Sequence, residues 1–239
     1  MTEDKGYLLL ALLAVVLITA PYGYASVNSS ASSQFGGFLL NPIDGYSYLA
    51  KMQLGRMGEW QFKLLYSSDP GEGAYLFFAY IVMGHISRIL NLPVALVFHG
   101  FRILASCALL VALYYLFKKT FLESKYRLLG YAVAILGSGL GWLAVMAGYF
   151  TSDFWVAEAY PFLSMYANPH FPAGLALMIA ALIANRKKWV WGLVIGTTLA
   201  IVQPFAVVII SVILFMEYFD SVLRAGKLTV DQFIAKKKN

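Results

Sequence analysis

Ala74-Tyr75-Leu76-Phe77-Phe78-Ala79-Tyr80-Ile81-Val82-Met83, followed by Gly84-His85-Ile86-Ser87-Arg88, is the stretch on which the architecture turns. Crossing a hydrocarbon core takes about 20 apolar residues at 1.5 Å rise per residue. The purely apolar part here is ten residues long, which suits an interfacial or re-entrant helix better than a span. The basic residues decide between the two. They cluster at Lys118, Lys119, Lys125 and Arg127, at Arg186, Lys187 and Lys188, and at Arg224, Lys227, Lys236, Lys237 and Lys238. Lys and Arg collect on the cytoplasmic side of membrane proteins. If 74–92 does not cross, these clusters and the N-terminus share that side, with thirteen of the eighteen Lys and Arg. If it does cross, only Lys5, Arg88 and Arg102 fall there. The first arrangement is the expectation.

The rest of the chain agrees with a membrane setting. Its 239 residues are 60% hydrophobic and 13% charged, which excludes an ordinary soluble domain. Crossings are predicted at about 7–26, 98–117, 128–150, 169–184, 189–202 and 205–219, with Gln203-Pro204 turning the chain between the last two. The predicted fold is an all-α integral membrane protein of about six transmembrane helices plus interfacial helices. Residues 1–219 form the membrane module, with outer loops at 27–97 and 151–168, and 220–239 form a basic amphipathic cytoplasmic tail. Both termini are then cytoplasmic, in the cell membrane. The net charge of +6 is this topological bias and calls for no nucleic acid partner. Cys107 stands alone in an apolar run and reads as a packed thiol, and Gly137 and Gly141, four apart, read as a close helix contact.

This orientation gathers the unusual polar residues on the outer side. Asn41-Pro42-Ile43-Asp44-Gly45-Tyr46-Ser47-Tyr48-Leu49-Ala50-Lys51-Met52 starts a helix along the membrane surface. Asp44 is either its N-cap or a general base, and the two roles are compatible. Asp69 and Glu72 lie in a turn-rich stretch, either as a solvated loop or turned toward a polar site. His99 and Arg102 share a helix face at the head of a span and together suit one phosphate; snorkelling of Arg102 to headgroups is the alternative. Asn168-Pro169-His170-Phe171 reads as an N-cap, a first helical proline and a His in the first turn, where anions are favoured. Asp153 and Glu158 precede it on the same side. The centres of the spans are almost free of charge, which argues against an ion-coupled transporter.

The order of these stretches resembles the GT-C superfamily of membrane glycosyltransferases, the protein mannosyltransferase-like and aminoarabinose transferase-like enzymes. The resemblance rests on the Asp44 to Met52 stretch, the loop helix from Gly73 to Leu92, a span opening near Arg102, the Gly137-Ser138-Gly139-Leu140-Gly141-Trp142 stretch and Asn168-Pro169-His170-Phe171. It implies inverting transfer of a sugar from a polyprenyl-phosphate donor to an acceptor at the extracytoplasmic face. Asp44 would then deprotonate the acceptor, and Lys51, His99 and Arg102 would bind the donor phosphate. Glu158 and His170 would hold a divalent metal, Mg or Mn, or orient the donor. Tyr46, Asp69, Glu72 and Asp153 would make acceptor or loop contacts. Family members have more spans, so a partner subunit completing the module is a further expectation. The competing expectation is a non-catalytic module that binds a lipid-linked sugar or lipid phosphate and assists a partner enzyme.

Overall fold

In hydrocarbon each backbone N–H and C=O has to be paired within its own segment, which leaves the helix as the form open to a lone apolar run. The computed structural model describes residues 3–64, 66–137, 139, 141–184 and 189–237, with backbone only for Trp142 and 225–237. Within them its regular secondary structure is helical, joined by loops, apart from one antiparallel bridge between Phe62 and Ala74. The helices are α1 (Glu3–Val27), α2 (Pro42–Met57), α3 (Phe78–Leu90), α4 (Val94–Thr120), α5 (Ser124–Leu136), α6 (Gly141–Met146), α7 (Pro161–Tyr166), α8 (His170–Ile183), α9 (Trp189–Val202) and α10 (Pro204–Lys237). Two 3-10 turns, Ser152–Phe154 and Ala157–Ala159, precede α7. Three helical stretches, α1, α4 and Pro204–Arg224 of α10, are long and apolar enough to cross a membrane, and α3, α8 and α9 are shorter apolar helices. This is the character of an integral membrane protein.

Side-chain contacts orient these helices. Lys118 Nζ meets Asp4 Oδ1 at 2.7 Å, while Arg102 Nη1 donates to the Ile18 carbonyl at 3.1 Å, so α1 and α4 are antiparallel. Residues 28–93 therefore leave and rejoin the α1–α4 pair at one end, which is called the site end below. Lys119 Nζ donates to the Ile183 carbonyl (3.2 Å) at the opposite, basic end, so α8 runs parallel to α4. A core of Tyr7, Ile18, Leu109, Leu113, Tyr131 and Met165 joins α1, α4, α5 and α7. Tyr7 meets the rings of Tyr114 and Tyr131 edge-on at 4.9 and 4.8 Å.

At the site end, α2 and α3 pack backbone to backbone. A Cβ on Gly55 would lie 2.0 Å from the Ile81 carbonyl oxygen, and one on Gly84 would lie 1.9 Å from that of Met52. Only glycine at both positions lets the two helices approach this closely.

The structure departs from the sequence expectations in several places. The stretch 128–150 is not one helix: α5 stops at Leu136 and α6 restarts at Gly141. Gly141 serves this break, not helix packing: its N–H donates to Asp153 Oδ2 at 2.8 Å, and a Cβ there would strike Thr151 and Asp153. Asp44 is the third residue of α2, whose N-cap is Asn41. Asn168 is not the cap of α8; Pro169 holds that position, with no side-chain hydrogen bond. Cys107 is exposed, because it falls on the outward side of α4. The turn at Gln203-Pro204 is present, and α9 and α10 pack there through Leu199, Ala206 and Ile210. The tail continues as helix to Lys237, and its side chains beyond Arg224 lie outside the described residues, as do Arg186, Lys187 and Lys188.

Candidate functional site

The clasp of Gly55 and Gly84 brings the polar side of α2 against α3 and the start of α8. Tyr48 on α2 and Tyr80 on α3 stack with ring centroids 4.4 Å apart and planes 11° from parallel. The Tyr80 hydroxyl and His170 Nδ1 share a hydrogen bond of 2.5 Å, and the Tyr48 ring lies 5.1 Å from the His170 ring. In the tautomer in which Nδ1 accepts from Tyr80, the imidazole proton is on Nε2, which has no hydrogen-bond partner among the described residues. Burial raises the Tyr80 phenol well above its ordinary value. Tyr48 is pushed up to about 12, by burial first and then by the nearby carboxylates of Asp44 and Glu158. Both tyrosines therefore remain neutral O–H donors at physiological pH.

Lys51 lies one turn beyond Tyr48 on the same helix. It is 7% exposed, yet among the described residues it makes no ion pair. Its ammonium donates to Ser47 Oγ at 2.6 Å and sits over the rings of Phe77, Tyr48 and Phe62 at 4.2, 4.7 and 5.9 Å. Burial lowers its pKa, and the charge of Asp44 partly offsets this. Phe77, just before α3, has φ 52, a left-handed conformation that is strained for a bulky residue. That conformation aims an aromatic face at the lysine. Asp44 itself is exposed and accepts a hydrogen bond from the Asn41 side chain.

Below this cluster opens an apolar groove of about 690 Å³ between α4 and α8, roofed by α3 and closed on one side by α9. Alanines make the room: Ala105, Ala108 and Ala112 on α4 face Ala173, Ala176 and Ala180 on α8. His170 lies at the site end of this groove and Ile183 at the other. At 1.5 Å per residue these are about 20 Å apart. The groove therefore suits a long hydrocarbon chain whose polar head stops at His170.

His99 and Arg102 occupy a second cluster behind Phe98, whose ring lies between Tyr80 (6.2 Å) and His99 (5.2 Å). Arg102 is 1% exposed. Its Nη1 donates to the carbonyls of Ile18, Met165 and Tyr166 at 3.1, 3.0 and 3.3 Å, and its Nε to His99 Nδ1 at 3.3 Å. The Tyr22 ring covers the guanidinium at 4.3 Å. His99 Nε2 in turn donates to the Gly37 carbonyl at 2.9 Å. Met165 and Tyr166 end α7, so the cation meets the free carbonyls and negative pole of a helix C-terminus. This accounts for a buried arginine without a bound phosphate.

The structure thus sets Asp44 and Lys51 about one turn to either side of Tyr48, whose ring packs on His170. Glu158, in the 3-10 turn Ala157–Ala159, is close enough for its charge to act on the Tyr48 phenol, whereas His99 and Arg102 are set apart. Asp153 is taken up by Gly141 and by the Thr151 hydroxyl, which holds its carboxyl below the usual value. Asp69 caps Gly71 at the exposed tip of the 62–74 loop, where Glu72 is also exposed. Tyr46 packs edge-on against Phe38 and is half exposed. Sequence reasoning missed Tyr48 and Tyr80. The spacing Asp44, Tyr48, Lys51 on one helical face was the signal for Tyr48; nothing local marked Tyr80. Among the described residues no three of His, Cys, Asp and Glu group as a metal site. A Mg²⁺ or Mn²⁺ beside Glu158 would draw most of its ligands from substrate phosphate and water. In comparisons with known proteins, no family model, curated protein or solved structure matches this chain.

Proposed function

We propose that this chain is a membrane glycosyltransferase of the GT-C kind that its motifs resemble, acting at the extracytoplasmic face on a polyprenyl-phosphate sugar. One observation carries the reading: His170 lines the site end of the apolar groove and packs against Tyr48, which has Asp44 and Lys51 about one turn to either side of it on α2. The donor's chain lies in the groove and its phosphate at Lys51 and His170 Nε2–H. Asp44 takes the proton from an acceptor hydroxyl, whose oxygen forms a bond to the sugar's anomeric carbon from the side opposite the phosphate. The anomeric C–O bond breaks, and its electron pair leaves on the lipid phosphate, which the two N–H donors neutralise. The configuration inverts. In this reading the basic end faces the cytoplasm with both termini, in a multi-pass arrangement in the cell membrane.

The test is transfer by protein reconstituted with a panel of polyprenyl-phosphate hexoses. Asp44→Asn is expected to lose about a hundredfold or more of the rate while still binding polyprenyl phosphate. Full activity of Asp44→Asn removes Asp44 as the base. The hydrogen bond from Asn41 to Asp44 favours a second reading, in which Asp44 only steadies the start of α2 and the chain presents a lipid phosphate to a partner enzyme. Tight donor binding by the wild type without turnover on any donor selects that reading.

A further inference from the structure

The other side of α2 borders a second cavity. It measures about 330 Å³, and Ser47, Lys51, Phe62, Lys63, Tyr46 and Tyr66 contribute to its lining. This is at the small end of ligand pockets, about 300–1,000 Å³. No carboxylate lines it, and the nearby Glu59 carboxylate is already paired with Lys63 at 3.4 Å. Lys51 stands on the edge shared with the groove-head cluster. It has three N–H groups, one protein oxygen and no counter-ion among the described residues. A buried ammonium in that state calls for an anion. Tyr66 is 86% exposed and Tyr46 51% exposed at the mouth, and they offer ring faces with hydroxyl edges. A pyranose presents one C–H face to an aromatic ring and hydroxyls around its rim, which fits this wall; a bare anion uses none of it.

We propose that this cavity binds a saccharide carrying an anionic group, with the carboxylate or phosphate on the Lys51 N–H that Ser47 and a donor phosphate leave free and the sugar ring against Tyr46 and Tyr66. Only the assignment of this sugar as the acceptor rests on the glycosyltransferase reading; the binding itself does not. As acceptor, it would present its hydroxyl across α2 toward Asp44, one turn from Tyr48.

The experiment is saturation-transfer NMR on the full chain in lipid nanodiscs, with glucuronate, glucose 6-phosphate, glucose and inorganic phosphate as probes. Glucuronate and glucose 6-phosphate are expected to bind at least about tenfold more tightly than either glucose or inorganic phosphate. Lys51→Met should bring the charged sugars down to the level of glucose, and Tyr66→Ala should weaken the sugars without affecting phosphate. Tyr66 is at the surface, so its replacement leaves the fold intact and keeps the test valid should Lys51→Met fold poorly. Equal binding of glucose and glucuronate, phosphate binding as tight as that of glucose 6-phosphate, or no binding overturns the proposal. Loss of transfer in Asp44→Asn with sugar binding intact leaves it standing; wild-type transfer without sugar binding overturns it alone.

Discussion

Arg102 and Lys51 are both buried cations near the site end, and among the described residues neither has a carboxylate partner. Arg102 is enclosed by three main-chain carbonyls, His99 and the Tyr22 ring, so the N–H groups on its Nη1 and Nε are matched by the protein. Lys51 has one serine hydroxyl and otherwise aromatic faces. Burial of a charge alone does not mark a binding site. What separates the two is the share of N–H groups that the fold leaves unmatched. The first cation ties α1, α4 and α7 together; the second is open to a ligand.

The sharpest way to break this contrast is to remove Arg102. Arg102→Met strands the Met165 carbonyl, leaves that of Tyr166 to the Tyr22 hydroxyl alone and opens a void under the Tyr22 ring, and is expected to cost about 3–5 kcal/mol, read as a large fall in thermal midpoint in detergent. Arg102→Lys should recover only part, since an ammonium lacks the planar fork. A stable Arg102→Met with impaired lipid-phosphate binding would reverse the roles assigned to the two cations.

Next in size is Gly84→Ala, which drives a methyl group into the Met52 carbonyl and is expected to cost about 1–3 kcal/mol. Hydrogen exchange should rise in α2 and α3 while α1 and α4 stay protected. Equal loosening of all four helices would show that the two clusters are one unit. Lys51→Met should do the opposite of Arg102→Met. Its thermal midpoint is expected to hold or rise, while affinity for polyprenyl phosphate falls about ten- to a hundredfold.

The smallest effect is on pH. Burial lowers the pKa of Lys51 below the ordinary lysine value. Between that lowered value and 10.5, the unfolded chain carries a proton that the folded chain has lost. Stability attributable to Lys51 therefore increases as pH rises through this window, and Lys51→Met should abolish that slope. Anion binding should fade over the same rise, below the pH at which a free lysine titrates.

The long apolar helices were legible from run length, as was the turn at Gln203-Pro204, because both follow from local composition. The placement of residues 28–93 at one end followed from charge distribution. The break in 128–150 was hidden because Asp153, twelve residues away, supplies the hydrogen bond that lets a helix restart at Gly141. The role of Arg102 was hidden for a similar reason. Its acceptors end α7, a helix of six residues with no periodicity to announce it. Asp44 and His170 were singled out by helix-start chemistry, whereas Tyr80 looked like one more aromatic in an apolar run. Only the clasp of Gly55 and Gly84 shows that its hydroxyl reaches another helix.

The unequal lengths of the groove's walls have a consequence for the surrounding lipid. α4 has 27 residues and extends about 40 Å, while α8, with 14, extends about 21 Å. A hydrocarbon layer is about 30 Å thick, so were α8 to cross beside α4, the bilayer along it would have to thin, at a fraction of a kcal/mol per ångström of hydrophobic mismatch. A membrane pinched there would lower its headgroups toward His170. A lipid entering along that flank would meet Lys51 with its phosphate already near the right depth, and acyl-chain length in the host membrane becomes a control on occupancy.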